Sequence, residues 1–294
     1  MRHPGRALNI HVNRCLCGSG KLIRDCCLCS RRNTTPAGQK TDFGHPLCFA
    51  RSLSDCSRVI SCEHYISRGV LDLFPSSGIA VSGMPWILEG KTKRVSRESL
   101  TGKILCERHN HALSQLDSTT AEFFQFFVAD WTKEPLELFL VRGYDLERWL
   151  LKVLCGLVAS GNATLDGKAL PSWCPSSEWL AILFGSIDVA EPSGLHSIVG
   201  KYNVAQASLH ATPVFKTESA MPIALAFAVE GVGFLFAMEP LPPKRQPAAT
   251  YADTRYRPMV LQLRKKEQTR EAHLGWPHGD VVSFDVSDLQ RARV

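Results

Sequence analysis

Two short stretches carry the residue types that could do chemistry. One reads Cys62-Glu63-His64 and the other Cys106-Glu107-Arg108-His109-Asn110. Thiols and imidazoles are ligands for a tetrahedral ion such as zinc, and Cys106-x-x-His109 opening a helix supplies half of such a site. An upstream cysteine pair is expected to supply the rest, and Cys48 with Cys56 is the choice. Cys62 is the rival, but on a strand it points to the face opposite Glu63. The separation of Cys48 and Cys56 is looser than the usual Cys-x-x-Cys knuckle. With the Glu-His pair and a polar residue beside the last ligand, this is the inventory of a zinc-stapled site for divalent-metal hydrolysis.

The elements that must position these residues follow from local pattern. Arg58-Val59-Ile60-Ser61 reads as a strand that continues through Glu63 to Ser67, and Val70 to Phe74 as a short helix ending before Pro75. Ile79 to Gly83 and Trp86 to Leu88 read as a strand pair, Lys91 to Arg97 as a basic loop, and Lys103 to Cys106 as extended. From Arg108 the chain turns helical through Leu113 and Leu116. Ser118-Thr119-Thr120 is expected to cap a further helix carrying Ala121, Phe124, Phe127 and Val128. A second helix is expected over Asp145 to Ala159 and a third from Glu178 to Phe184. Val204–Phe215, Ile223–Ala228, Gly233–Met238, Pro258–Leu263 and Val281–Val286 read as strands between Gly and Pro turns. Helices followed by a run of strands predict an α+β fold: a small zinc-stapled ββα or treble-clef module, a helical segment and an antiparallel C-terminal sheet domain.

Further upstream stands Cys15-Leu16-Cys17-Gly18-Ser19-Gly20, with Cys26-Cys27 following the second cysteine after eight intervening residues. Glycines permit the tight backbone that four sulfurs around one ion require. This stretch resembles the SEC-C motif, a short bacterial zinc knuckle. The resemblance makes Cys15, Cys17, Cys26 and Cys27 ligands and implies docking to a protein partner rather than catalysis. Residues 13–29 form this knuckle, 30–44 a polar linker, 45–132 a zinc-stapled module, and 133–294 an α+β domain of unknown role.

The wording of 63–67 and 105–117 resembles the HNH, or ββα-metal, endonucleases, in a bacterial subgroup. The resemblance implies phosphodiester hydrolysis of nucleic acid, DNA being the expected form. His64 would be the general base, Glu63 would orient the site or ligate Mg²⁺ or another divalent ion, and Asn110 would complete it. Zn²⁺ would be structural, at two sites in the chain. The middle Asn of the family pattern is absent from Ser99-Leu100-Thr101-Gly102-Lys103, and Asn110 stands where His is usual. The competing reading is a non-catalytic zinc module that binds nucleic acid or a protein partner.

Composition agrees with either reading. Nine of the 11 cysteines lie before residue 107, which in a chain without an export signal points to metal rather than disulfides. Residues 1–110 hold 17 Lys and Arg against 8 Asp and Glu, a bias that favours a polyanion. No apolar run is long enough to span a membrane, so no membrane partner is expected and the expected location is cytoplasmic. No phosphate-binding glycine loop or dinucleotide fingerprint occurs. Asp117 reads as helix-cap chemistry, Glu147-Arg148-Trp149 as an amphipathic seam, and Trp276-Pro277-His278-Gly279-Asp280 as a turn without a nucleophile.

Overall fold

The computed structural model describes residues 14, 20–22, 26, 32–128, 138–161, 164–165, 168–169, 173–185, 187–198, 208–216, 218–239, 254–276 and 279–285. In chain order, β1 (Ile60–His64) leads into the one-turn helix α1 (Arg68–Leu71), then β2 (Ile79–Ser82), β3 (Thr92–Val95) and β4 (Thr101–Cys106). The long helix α2 (Glu107–Val128) follows, then β5 (Leu138–Leu140) and helix α3 (Gly143–Ala159). A short pair, β6 (Thr164–Leu165) and β7 (Lys168–Ala169), precedes α4 (Ser177–Leu183). The rest is strand: β8 (Gly194–Ile198), β9 (Leu209–Phe215), β10 (Pro222–Val229), β11 (Val232–Ala237), β12 (Thr254–Tyr256), β13 (Val260–Lys265), β14 (Gln268–His273) and β15 (Val281–Asp285).

The fold is α+β, as the sequence predicts. β1 and β4 form an antiparallel hairpin, and α2 leaves directly from its end. A seven-stranded sheet runs β12-β8-β11-β10-β9-β2-β3, and a four-stranded one runs β15-β13-β14-β5. Pairing is mostly antiparallel, with parallel contacts at β2–β9, β13–β15 and β14–β5. The large sheet therefore takes its last two strands from residues 79–95, across the sequence boundary at 132/133.

β10 and β11 are buried at every position, which their unbroken apolar wording requires. Their two-residue turn places Glu230 at φ 47° and Gly231 at φ 81°. Both values are positive, the conformation that matches strand twist in a tight hairpin. One face of this hairpin meets α2 and α3 through Phe227 and Phe234, which pack on Phe124 at ring separations of 5.7 and 6.2 Å.

Two expectations change. Helix α2 is continuous over 22 residues instead of restarting at Ser118. No Gly or Pro interrupts it, and the Ser118 hydroxyl donates to the Ser114 carbonyl 3.2 Å away, within the helix, rather than capping a new one. Residues 92–95 form β3 against β2, whereas 86–88 lie outside strand, with Trp86 and Ile87 packed on the core. β3 is an exposed edge strand bearing Lys93 and Arg94, so it lacks the apolar alternation that marks a half-buried strand.

Candidate metal centre and the buried lysine beside it

The loop before β1 folds back on itself so that two cysteines meet. Residues 51–53 make a 3-10 turn, Ser54 adopts φ 49°, and the Cys56 amide donates to the Phe43 carbonyl at 2.7 Å. That excursion needs the residues between Cys48 and Cys56, which accounts for their wide separation. Arg108 clamps the loop through Asp55 at 2.9 Å and through the Ala37 carbonyl. Cys106 closes β4, and His109 sits in the first turn of α2.

The four chosen ligands come together. The thiol and imidazole atoms of Cys48, Cys56, Cys106 and His109 lie within 4.8 Å of one another, and all four residues are buried. His109 Nδ1 is 3.6, 3.7 and 3.2 Å from the sulfurs of Cys48, Cys56 and Cys106. An ion about 2.3 Å from sulfur and about 2.0 Å from nitrogen spaces its ligand atoms about 3.5–3.8 Å apart in a tetrahedron. The cluster therefore fits a metal ion such as zinc. His109 Nε2 is buried with no hydrogen-bond partner, and the ring packs on Phe184 at 4.9 Å, leaving Nδ1 as the ligand atom. Crowding of the sulfurs splits their titration: contact with Cys106 pushes the Cys48 thiol up, while contact with Cys48, and then with His109, holds Cys106 well below the ordinary thiol range. Thiolate is the form that binds metal. Cys62, the rival ligand, is exposed on β1.

Of the knuckle cysteines, Cys15, Cys17 and Cys27 lie outside the described residues. Cys26 is a half-buried turn residue that forms no disulfide.

The Glu-His pair splits across the faces of β1. Glu63 points inward and is 8% exposed. Its Oε1 accepts from the ammonium of Lys152, on α3, at 2.7 Å. The same ammonium donates to both oxygens of Asp117, on α2, at 2.8 and 2.7 Å. Ser67 donates to Asp117, and Trp149 Nε1 donates to Ser67 Oγ at 2.5 Å. Asp117 is thus an internal ion-pair partner in mid-helix, not a cap. Neither Lys152 nor Asp117 was among the candidate site residues. The available signal was a lone lysine in the apolar run Leu150-Leu151-Lys152-Val153-Leu154, which requires a buried counter-charge.

His64 ends β1 opposite Thr101. Burial holds its pKa below the usual histidine value, against the opposing pull of Glu63, so the ring is neutral at pH 7. Its Nε2 is buried without a partner. Arg68 and Asp72 pair beside it at 3.0 Å, and Glu98 lies 3.7 Å from Arg68. Asn110 is half-buried on α2, seven residues before Asp117, which places it about 10 Å closer to the sulfur cluster along the helix axis. The side chain level with Glu63 is therefore Asp117. Among the described residues no second group of three or more His, Cys, Asp or Glu converges. Of the Glu63 carboxylate, Oε1 is taken by Lys152.

Charged groups elsewhere on α3 are also paired. Arg148 donates to the Asp145 carboxylate at 2.9 Å, to the Ile182 and Leu183 carbonyls, and to Thr34. Glu147 receives Arg257 through two bonds of 3.0 and 3.1 Å and the Leu195 amide at 2.8 Å. The expected amphipathic seam is instead buried on all sides. No helix is long and apolar enough to cross a membrane among the described residues. Compared with protein-family models, curated proteins and solved structures, the chain finds no match in any of the three.

Proposed function

We propose that the chain is a zinc-stapled hairpin–helix module of HNH-like build that binds nucleic acid through the His64 end of its hairpin. The observation that carries this reading is where the basic segment leads. Lys91, Lys93 and Arg94 are exposed, and Lys91 and Lys93 have no ion-pair partner among the described residues. The segment runs into the 3-10 turn Glu98–Leu100, whose Leu100 carbonyl accepts the Tyr65 amide at 2.9 Å. Thr101 then pairs with His64. The exposed cations thus lie on the segment that leads into the His64 end of the hairpin, where Arg68 pairs with Asp72 and Glu98, and phosphate contacts by such cations supply salt-dependent affinity. Lysines also blunt an edge strand against pairing, and one row of charge can do both.

A second reading, HNH-type endonuclease, is favoured by His64 itself. It is neutral at pH 7, has an unpartnered ring nitrogen, and stands at the end of the first strand. In that reading His64 takes the proton from the attacking water while Arg68 faces the phosphate.

One set of experiments separates them. Fluorescence anisotropy with duplex DNA, single-stranded DNA and RNA should show binding that weakens with salt. Reversing Lys91, Lys93 and Arg94 to Glu should cost at least tenfold in affinity while zinc is retained. Affinity equal to wild type in that variant sinks the nucleic-acid surface. Plasmid cleavage with Mg²⁺ or Mn²⁺ then compares wild type, His64→Ala and Cys106→Ala. Cleavage lost in His64→Ala with zinc and fold retained would promote the nuclease reading, and equal inactivity would leave binding alone.

A further inference from the structure

We propose that Lys152 takes the place of a hard divalent cation in this module, so that the hairpin–helix unit carries its own internal cation beside Glu63 and binds no Mg²⁺ or Mn²⁺ there. This rests on reading β1, β4 and α2 as an HNH-like unit, in which Glu63 is the residue expected to face such an ion.

The geometry is that of a filled site. An ammonium has three donors, and all three are used: one on Glu63 Oε1 and one on each oxygen of Asp117, at 2.7 to 2.8 Å. The side chain of Lys152 is 3% exposed, so water does not supply alternative partners. Two carboxylates around one cation at hydrogen-bonding distance mimic, in oxygen ligands and charge, what a hard ion collects. Ser67 and Trp149 extend the network behind Asp117. Burial pulls the lysine pKa down, but Asp117 and then Glu63 pull it up by more, and the net direction is upward. The two carboxylates therefore favour the charged ammonium in the folded chain.

Its origin matters as much as its position. Lys152 belongs to α3, outside the hairpin–helix unit, and α3 approaches the hairpin closely because Gly156 has no side chain. A Cβ there would stand 3.2 Å from Ile104 Cδ1. Docking of α3 therefore delivers the ammonium to Glu63. A divalent ion at Glu63 would need a carboxylate oxygen at about 2.1 Å, which means expelling the lysine from Oε1 or enduring a second cation beside it on the other oxygen.

The test is a Mn²⁺ titration of the zinc-loaded full chain, read by electron paramagnetic resonance, without nucleic acid. Its outcome is thereby independent of whether the chain binds DNA or RNA. Wild type and Glu63→Gln should give the same Mn²⁺ uptake up to millimolar concentration. Uptake by wild type that Glu63→Gln removes overturns the proposal, whatever any lysine variant does. Lys152→Ala vacates the space between two carboxylates and should gain a Mn²⁺ site, with a rise in thermal midpoint on adding Mn²⁺. The gain should vanish in Lys152→Ala/Glu63→Gln. A folded Lys152→Ala protein that gains no Mn²⁺ site also overturns it. Should that variant not fold, the wild-type and Glu63→Gln comparison decides alone.

Discussion

The sulfur cluster and the lysine show two ways of holding negative charge inside one small unit, and they differ in how much of each the sequence reveals. Cys106 and His109 are three residues apart and open a helix, so local spacing alone marks them. Strand alternation correctly sets Cys62 aside, since it is exposed while Glu63 is buried. Lys152 meets its partners across 89 residues to Glu63 and 35 to Asp117, and no local pattern encodes that. The cluster residues are 0–1% exposed and pack three thiols around one imidazole. Apparent zinc affinities in small zinc domains are worth on the order of 10 kcal/mol. That is comparable to the whole stability of a domain, about 5–15 kcal/mol. Removing the ion should therefore unfold the hairpin rather than loosen it. Cys106→Ser is expected to lose one equivalent of metal per chain and the cooperative thermal transition of residues 45–128. Cys62→Ser should keep both, shifting stability by no more than about 0.5 kcal/mol, as exposed substitutions do. Metal content by atomic emission, with hydrogen exchange over the hairpin, checks both. Equal metal content in Cys106→Ser and wild type would remove this cluster as the ion's site.

At the scale of elements, α3 does the most positioning and was the least legible. Its extent follows from the recurrence of Leu146, Trp149, Leu150, Val153, Leu154 and Leu157. Its surroundings do not, because charges at Asp145, Glu147, Arg148 and Lys152 suggest a wet face. All its residues but Tyr144 and Ala159 are buried. Each charge instead ties a different part of the chain to the helix. Lys152 holds β1 and α2, Arg148 holds α4 and the segment at Thr34, and Glu147 holds Arg257 and the Leu195 amide. Arg257 lies against Tyr144, Tyr256 and Trp276 at 4.8 to 5.2 Å and stays charged there. Taking away one member of a buried pair leaves the other charged and dry, at a cost of about 3–5 kcal/mol. Glu147→Gln is expected to destabilise by that order, seen as a lower urea midpoint at unchanged slope. A shift below about 1 kcal/mol would mean that the pair is solvated and the helix less enclosed than the structure has it.

For the molecule as a whole, the change from sequence to structure concerns where the units join. Composition marks a cysteine-rich, basic first part and a strand-rich second part, and both are present. What composition cannot register is hydrogen bonding between strands far apart in sequence. β2 pairs with β9 through Val81–Leu209 and Ser82–His210, and the Ser208 amide donates to the Ala80 carbonyl at 2.9 Å. Residues 32–34, read as linker, are held by Asp145, Leu183 and Arg148. The hairpin–helix unit also leans on Phe184 at His109, on Lys152 at Glu63 and on Phe227 at Phe124. A fragment of residues 45–132 would keep every ligand of the metal cluster yet expose Glu63 and Asp117 without their cation. It would also leave the edge of β2 unpaired and strip the aromatic face of α2. Metal binding repays the ordering of the loop and hairpin ends, but not the lost apolar burial of Phe123, Phe124 and Phe127, each worth about 1.5–3 kcal/mol. The fragment should therefore bind one equivalent of zinc while lacking a cooperative thermal transition, whereas the full chain should show one. Circular dichroism melts of the two proteins at equal zinc loading make the comparison. A sharp transition in the fragment would show that the module stands alone, and that α3 and the large sheet merely cover it.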